Sequence, residues 1–459
     1  MPIILGAGLA GLTCAYELIR RGIQVLVLEK EDYVGGLAAS GEIDGMYYDY
    51  GPHRFHSKKK PIIDFLQKLM GDNLIFQKRR SEICLDGRFF IYPLDTGNIL
   101  RNMSKRVLAR CFFDYILGRV QALLGAHADG SFESWVTRRF GKMLYRIFFG
   151  TYTQKVLGLP PSQISEDWAK ERVSLLDLWS VVSETVFGSK NPPRTYANHF
   201  YYPRRGGIGQ IAEALRRKIL ETGSRILLNI NVTHISCEQK GVSEEIVRSV
   251  MFEHNGIKHE EKVSCLLSTI PIISLPLLLQ SPVFHAKGAV FKKMKFRALI
   301  FAYFVLNKGA FGDSQWIYLP EESFFSNRIS EPKNFSADGF PENKTVICAE
   351  ISCDHGDEKW NMDHAEIKER VLGDIERLIS RKIGQGELLD YFCRKVEHCY
   401  PIYEIDYQDH VRVARELLAS FKNLDCFGRN GSFKYNNMDD SIEMGLQVAK
   451  RFLNKNPES

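Results

Sequence analysis

Long hydrophobic runs are missing from this chain. No stretch approaches the roughly 18 to 20 consecutive apolar residues that a membrane-spanning helix requires, and the longest candidate, Ile270–Leu279, is broken by Pro271 and Pro276. Closely spaced cysteine pairs are missing as well. The ten cysteines (14, 84, 111, 237, 265, 348, 353, 393, 399 and 426) include no CxxC, which argues against a disulfide framework or a zinc centre and for buried thiols in a reducing compartment. No metal ligand set is expected. Charge of one sign is not concentrated either: 61 Lys and Arg stand against 55 Asp and Glu, for a net charge of +6. With no basic stripe interleaved with aromatics, nucleic acid is not an expected partner. The N-terminus lacks a basic, then apolar, cleavable leader, so a cytoplasmic location is expected. Repeats and low-complexity tracts are absent too.

What remains is an ordinary globular composition, 44% hydrophobic and 25% charged over 459 residues, enough chain for two or three domains. The segment from Arg106 to Leu124 mixes Phe112, Phe113, Ile116 and Leu117 with Arg110, Asp114 and Arg119. It reads as a helix packed inside the fold, with peripheral contact to a membrane surface as the alternative.

The first forty residues carry the clearest chemistry. Pro2–Leu5 reads as a strand, Gly6-Ala7-Gly8-Leu9-Ala10-Gly11 as a turn, Leu12–Arg21 as a helix and Gln24–Leu28 as a second strand ending on Glu29. Gly6 permits the tight turn, Gly8 lets a pyrophosphate approach the backbone, and Gly11 lets helix and strand pack closely. The helix N-terminus offers unpaired N–H groups and the positive end of its dipole to phosphate. Glu29, 18 residues beyond Gly11, is placed to accept the ribose hydroxyls. A dinucleotide is therefore expected.

Gly35 and Gly36, in Val34-Gly35-Gly36-Leu37-Ala38, favour FAD over NAD. Here the chain resembles the large FAD-containing families that include amine oxidases, phytoene desaturases and protoporphyrinogen oxidases. Those families carry a paired glycine after the ribose-binding acid, often followed by Arg where this chain has Leu37. Read alone, the doublet is also compatible with a plain β-turn. Later signals fit the same domain: Gly206-Gly207-Ile208-Gly209 opens a helix, a strand runs over Arg225–Ile235, and Asn423–Arg429 is a strand entering a glycine turn at Gly428. The resemblance implies adenine contact at the backbone near Val232 and a Thr-x-Pro turn, Thr269-Ile270-Pro271, near the flavin. A further helix N-terminus aimed at the cofactor fits Asn437-Met438-Asp439-Asp440, although Asp439 is equally suited to an ordinary N-cap.

Tyr47-Tyr48-Asp49-Tyr50-Gly51-Pro52-His53-Arg54-Phe55-His56-Ser57 resembles the flavin-side loop of UDP-galactopyranose mutases, with its Gly-Pro-His-x-Phe-His pattern. Other islands follow in the same order: Tyr152-Thr153-Gln154-Lys155, Arg328-Ile329-Ser330-Glu331-Pro332-Lys333-Asn334-Phe335, Tyr400-Pro401-Ile402, and Gly428-Arg429-Asn430-Gly431-Ser432-Phe433-Lys434-Tyr435. The resemblance implies that Tyr152 stacks on a uracil, with Tyr400 also at the substrate. It places Arg328, Arg429 and Tyr435 by a diphosphate and sugar, a role that suits the arginine fork. It puts His53 near flavin N5. His53 or His56 could serve as a base.

Three departures stand out. Leu157 replaces the family's Trp, and Asn436-Asn437-Met438 replaces its Tyr-Asp-Met. Val173–Phe187 lacks the mobile arm, so that the second essential Arg would fall near Leu176. Two reactions are therefore expected in principle. The first is an FAD-dependent oxidoreductase that transfers a hydride to flavin N5 from a nucleotide sugar or other phosphorylated glycoconjugate precursor. The alternative is a redox-neutral pyranose/furanose mutase using reduced FAD as nucleophile.

The expected fold class is α/β. A Rossmann-type FAD-binding domain is assembled from residues 1–75, 203–280 and 395–459. A mixed α+β substrate domain, 76–202 and 281–394, is inserted in it. Strands are expected at Ala298–Leu306, Ile317–Pro320 and Thr345–Ser352, and an amphipathic helix at Asp363–Arg381.

Overall fold

In the computed structural model, residues 1–92, 96–123, 129–172, 198–240 and 244–455 are described. The Val173–Phe187 segment and the position of Leu176 lie outside them.

Five short parallel strands form the nucleotide-binding sheet, in the order Leu424–Cys426, Leu266–Ser268, Ile3–Leu5, Leu26–Leu28 and Arg225–Leu227. Strands of an all-parallel sheet are covered on both faces, which is why they are continuous apolar runs rather than alternating ones. Ile3–Leu5 and Leu26–Leu28 are wholly buried. The first helix spans Leu9–Ile19, starting three residues earlier than its apolar pattern suggests, with Gly8 at its N-cap. It packs against the C-terminal helix Met438–Lys455. There the approach is close enough that a Cβ on Gly445 would lie 2.5 Å from the Ala10 carbonyl oxygen.

The expected strand Arg225–Ile235 is in fact two. Arg225–Leu227 ends the parallel sheet, and Asn231–Gln239 starts an antiparallel three-stranded sheet with Glu245–His254 and Ile257–Lys262. Asn229 makes the break at φ +56°, a left-handed conformation that Asn tolerates better than most residues.

The second large element is a seven-stranded mixed sheet in the order Leu388–Pro401, Phe296–Leu306, Thr345–Cys353, Arg328–Ser330, Trp316–Tyr318, Ser81–Leu85 and Arg88–Ile91. Phe296–Leu306 and Thr345–Cys353 are buried at every position, as central strands rich in β-branched and aromatic residues should be. Residue 395, the expected start of a cofactor-domain segment, lies inside Leu388–Pro401, which pairs along its length with Phe296–Leu306. The amphipathic helix occupies His364–Ile379, capped by the Asp363 side chain. No helix of the described residues is long and apolar enough to cross a membrane. The helix Lys105–Leu123 leaves Phe112, Phe113, Ile116, Leu117 and Val120 exposed, so it is packed on one face only.

Candidate active site

The C-terminal ends of all five parallel strands open into one cavity of about 1390 Å³. That exceeds the usual size of a pocket for a single small ligand. At its floor Gly6 has φ +98°, which the turn out of the strand demands. A Cβ on Gly11 would sit 2.2 Å from the Gly6 carbonyl oxygen, whereas one on Gly8 would meet no atom of the described residues within 4 Å. This division of labour between glycines leaves room for a pyrophosphate against bare backbone.

Glu29 stands at the end of the second strand. Its Oε2 accepts the Ala7 N–H at 2.6 Å and its Oε1 that of Glu31 at 3.1 Å. Burial pushes its carboxyl above the usual range, opposed by those backbone donors. The Gly35–Gly36 doublet is no free-standing turn. The Gly35 N–H donates to Ala7 O at 2.8 Å, and Gly8 and Gly35 form a parallel bridge. With Gly35 at φ +106° and Gly36 at +57°, the doublet builds a second glycine wall beside the first. Val232, Gly428 and Met438 also line the cavity. Gly11 and Asp439 do not: Gly11 serves packing, and Asp439 is buried in the first turn of the C-terminal helix. Asn437 stands just before the helix, and its N–H donates to the first-turn Asp440 side chain at 3.2 Å. The bare Gly8 surface, the aligned strand ends and the ribose acid together fit FAD.

The other end of the cavity gathers His53, His56, Tyr152, Arg328, Tyr400, Arg429 and Tyr435, brought from elements far apart in the chain. His53 Nδ1 lies 2.9 Å from Gly51 O. A nitrogen facing a carbonyl must be the protonated one, so Nε2 carries the lone pair. Burial, reinforced by Arg328 and Arg429, lowers the His53 pKa to about 4. His56 is also lowered, by burial and then by Lys58, Arg79 and Arg54. Both imidazoles are therefore neutral near pH 7.

Arg328 sits on a three-residue strand, and its Nε and Nη2 clasp Glu350 bidentately at 2.5 and 2.8 Å, leaving Nη1 outside the pair. Its guanidinium lies 5.2 Å from the Trp316 ring centre and 5.8 Å from that of Tyr318. Arg429 is engaged differently. Nε and Nη2 donate to Cys399 O at 3.0 and 2.9 Å, and Nη1 to Asn436 O at 2.7 Å, so it clips the end of strand Leu388–Pro401 to the loop before the C-terminal helix. Its guanidinium stacks 4.5 Å from Tyr435 and 5.4 Å from Tyr400. Tyr152 meets Tyr318 edge-on at 5.5 Å.

The motif residues beside these play another part. The Lys155 ammonium donates to the carbonyls of Leu319, Glu321 and Ser326 at 3.0, 2.9 and 2.7 Å, tying the Tyr152 helix to the loop that leads into the Arg328 strand. Lys333 donates to four carbonyls and buried Glu331 accepts from Phe311, Gly312, Asn334 and Thr345. Leu157, at the position of the family's Trp, is core.

Five lining residues escape sequence reasoning. Trp168 closes one wall, 4.9 Å from Tyr435. Trp316 and Glu350 hold Arg328. Arg54 stacks on Trp316, 3.4 Å from the ring centre, and Arg79 over Tyr92 at 4.9 Å. The one available signal was Glu350, a lone acid in the apolar strand TVICAEISC.

An α/β dinucleotide fold, a glycine-lined cofactor groove and a second, polar compartment at its far end define a flavoenzyme. The chain belongs to the family described as flavin containing amine oxidoreductase, whose model matches residues 9–398, and FAD is its cofactor. It is 28% identical over 171 residues to a probable UDP-galactopyranose mutase of Klebsiella pneumoniae, covering 35% of this chain and 42% of that protein. To the UDP-galactopyranose mutase of Mycoplasma pneumoniae it is 38% identical over 172 residues, covering 35% and 41%. The chain thus spans about two fifths of the length of these curated relatives. Among solved structures, a reduced UDP-galactopyranose mutase superposes with a TM-score of 0.84 at 21% identity, over 100% of this chain and 94% of that one. A putrescine oxidase bound to putrescine does so at 0.65 and 15%, over 99% and 98%.

Proposed function

We propose that this enzyme interconverts ring forms of a nucleotide sugar without net redox change, with FAD in its reduced state. The observation that carries this reading is the charge of the substrate compartment. Arg54, Arg79, Arg328 and Arg429 all line it, and the one carboxylate in ion-pair contact with them among the described residues is Glu350. Such a wall repels a protonated amine and attracts an anionic nucleotide sugar, and within it Arg328 is the group placed for the diphosphate, whose charge grows as its bond to the anomeric carbon breaks. The similarity to mutases of two nucleotide sugars, including the dTDP-fucopyranose mutase of Escherichia coli (25% identical over 172 residues), supports the same choice.

When bound, reduced FAD supplies an electron-rich N5 to this compartment. The chain's own groups do the rest. Tyr152 offers an aromatic edge to a base, and Arg328 presents Nη1 to phosphate oxygens while Glu350 fixes its plane. His53 Nε2 can hold or accept the proton of a sugar hydroxyl. Arg429 shapes the wall and adds positive potential, and Tyr400, Tyr435 and Trp168 exclude water. We assign the cofactor domain to the parallel sheet with its glycine turns and the substrate domain to the seven-stranded sheet with the helices before residue 172. The ten unpaired cysteines support a reducing compartment such as the cytoplasm. The exposed Phe112, Phe113, Ile116 and Leu117 on the helix Lys105–Leu123, with exposed Arg106 and Arg110 on the same helix, support peripheral membrane contact.

A second reading, hydride transfer from a substrate carbon, is favoured by the family's description. Anaerobic incubation of dithionite-reduced enzyme with UDP-, GDP- and dTDP-sugars separates the two. The mutase reading expects a product of unchanged mass and new ring size, formed by reduced enzyme alone. Oxidised enzyme bleaching on mixing with a sugar would reject it.

A further inference from the structure

Arg54 occupies the variable position of the Gly-Pro-His-x-Phe-His pattern, yet it is not a surface residue. It lies in the interior with its guanidinium face on Trp316 at 3.4 Å and its edge reaching Ser81 Oγ at 3.4 Å. Phe200 covers it at 5.4 Å. Arg79 lies over Tyr92, and its buried Nε has no hydrogen-bond partner among the described residues. Among the described residues neither arginine has a carboxylate within ion-pair distance, because Glu350 is already spent bidentately on Arg328. Arg328 is common to two sets of cations: it acts with Arg429 on His53, and with Arg79 on Arg54. Arg54, Arg79 and Arg328 set against Glu350 leave an unmatched charge of about +2 among these four groups. Enclosing Arg54 and the Nε of Arg79 away from counter-charges has a cost that a ligand anion offsets.

On the nucleotide-sugar reading above, Arg328 serves the diphosphate, and the Arg54–Arg79 pair is surplus to it. We propose that the sugar of the substrate is itself acidic, and that its carboxylate is received by Arg54 and Arg79. The stacking favours a carboxylate. With its face on Trp316, Arg54 offers only its edge, and an in-plane fork matches a planar two-oxygen acceptor. The substrate class is then a nucleoside-diphosphate uronic acid, and the pair sets specificity against neutral hexoses.

The test uses the full-length, flavin-loaded enzyme and titrates UDP, UDP-galactose and UDP-galacturonate, read by calorimetry and by the flavin absorbance spectrum. The wild-type enzyme should bind the uronate at least about tenfold tighter than the hexose, since a charge-assisted fork is worth that much or more. Arg54→Met should abolish that preference while UDP affinity changes by less than about twofold. Arg79→Met, which removes no ring stack on Trp316, should act in the same direction and guards against an Arg54 variant that fails to fold. Equal wild-type affinity for uronate and hexose would overturn the proposal and leave the nucleotide-sugar reading standing. So would a parallel loss of UDP and uronate binding in Arg54→Met, which would assign the pair to the diphosphate. Failure of all three nucleotides to bind would instead overturn the nucleotide-sugar reading itself, and the proposal with it.

Discussion

Replacing Glu350 by Gln tests the electrostatics on which the substrate compartment rests. The Glu350 side chain is 1% exposed and that of Arg328 is 12%, with Nε–Oε1 at 2.5 Å. Gln keeps the volume and one acceptor but leaves a guanidinium buried without its counter-charge. Breaking a buried pair from one side costs about 3–5 kcal/mol. Here the upper end is expected, because Arg54 repels the orphaned Arg328 and no other carboxylate among the described residues pairs with it. Against a typical total of about 5–15 kcal/mol, that is a large fraction. The double replacement Glu350→Gln with Arg328→Met removes both charges and should recover most of the loss. Urea unfolding of apo and flavin-loaded protein, followed by far-UV circular dichroism, measures each term and separates loss of the pair from loss of cofactor. A single-variant cost below about 1 kcal/mol, the value of an exposed ion pair, would refute the reasoning, since it would mean that water already reaches Arg328.

Gly8→Val should leave the apo protein folded, with a loss of only about 1 kcal/mol from the N-cap, since its Cβ meets no atom of the described residues, yet abolish flavin retention, measured as the 450 nm to 280 nm absorbance ratio. Gly11→Val should fail earlier, by destabilising the fold itself, because its Cβ collides with the Gly6 carbonyl. Lys155→Met should cost about 3 kcal/mol in urea unfolding by orphaning three carbonyls. The folded-state pKa of His53, about 4, lies below the ordinary value of about 6.5. The group therefore withdraws stability as pH falls from about 6.5 through 4, by about 3 kcal/mol in all. His53→Gln should remove that acid-side slope, measured by urea midpoints at pH 4.5 and 7.

The cofactor half was legible because its constraints are local. A positive φ at Gly6, a bare backbone at Gly8 and an acid ending the next strand are all written within thirty residues. One misreading there, a single strand across Arg225–Ile235, arose because an Asn at a sheet corner looks no different from an Asn inside a strand. The substrate half was less legible because charge in a sequence reads as surface. Arg54 is enclosed and Arg79 half-buried through stacking on Trp316, in strand Trp316–Tyr318, and on Tyr92, just past strand Arg88–Ile91, and no spacing rule joins them. Motif residues also divided in ways that sequence does not display. Arg328 and Tyr152 face the cavity, whereas Lys155, Glu331 and Lys333 build the loops that hold them, and Arg429 is largely committed to backbone carbonyls. Lys155 and Lys333 illustrate the reason: an ammonium satisfied by three or four carbonyls is a structural pin, and only its neighbours reveal that.

The central claim is that the anomeric carbon–oxygen bond to the diphosphate breaks while no carbon–hydrogen bond does. Positional isotope exchange tests it most directly. A UDP-sugar labelled with ¹⁸O in that bridging position is incubated with dithionite-reduced enzyme, and the label is followed by phosphorus NMR. The account predicts that the label scrambles into the non-bridging positions with reduced enzyme and stays in place with oxidised enzyme. No scrambling, together with flavin bleaching that slows when the sugar is deuterated, would contradict it and assign the enzyme to hydride transfer.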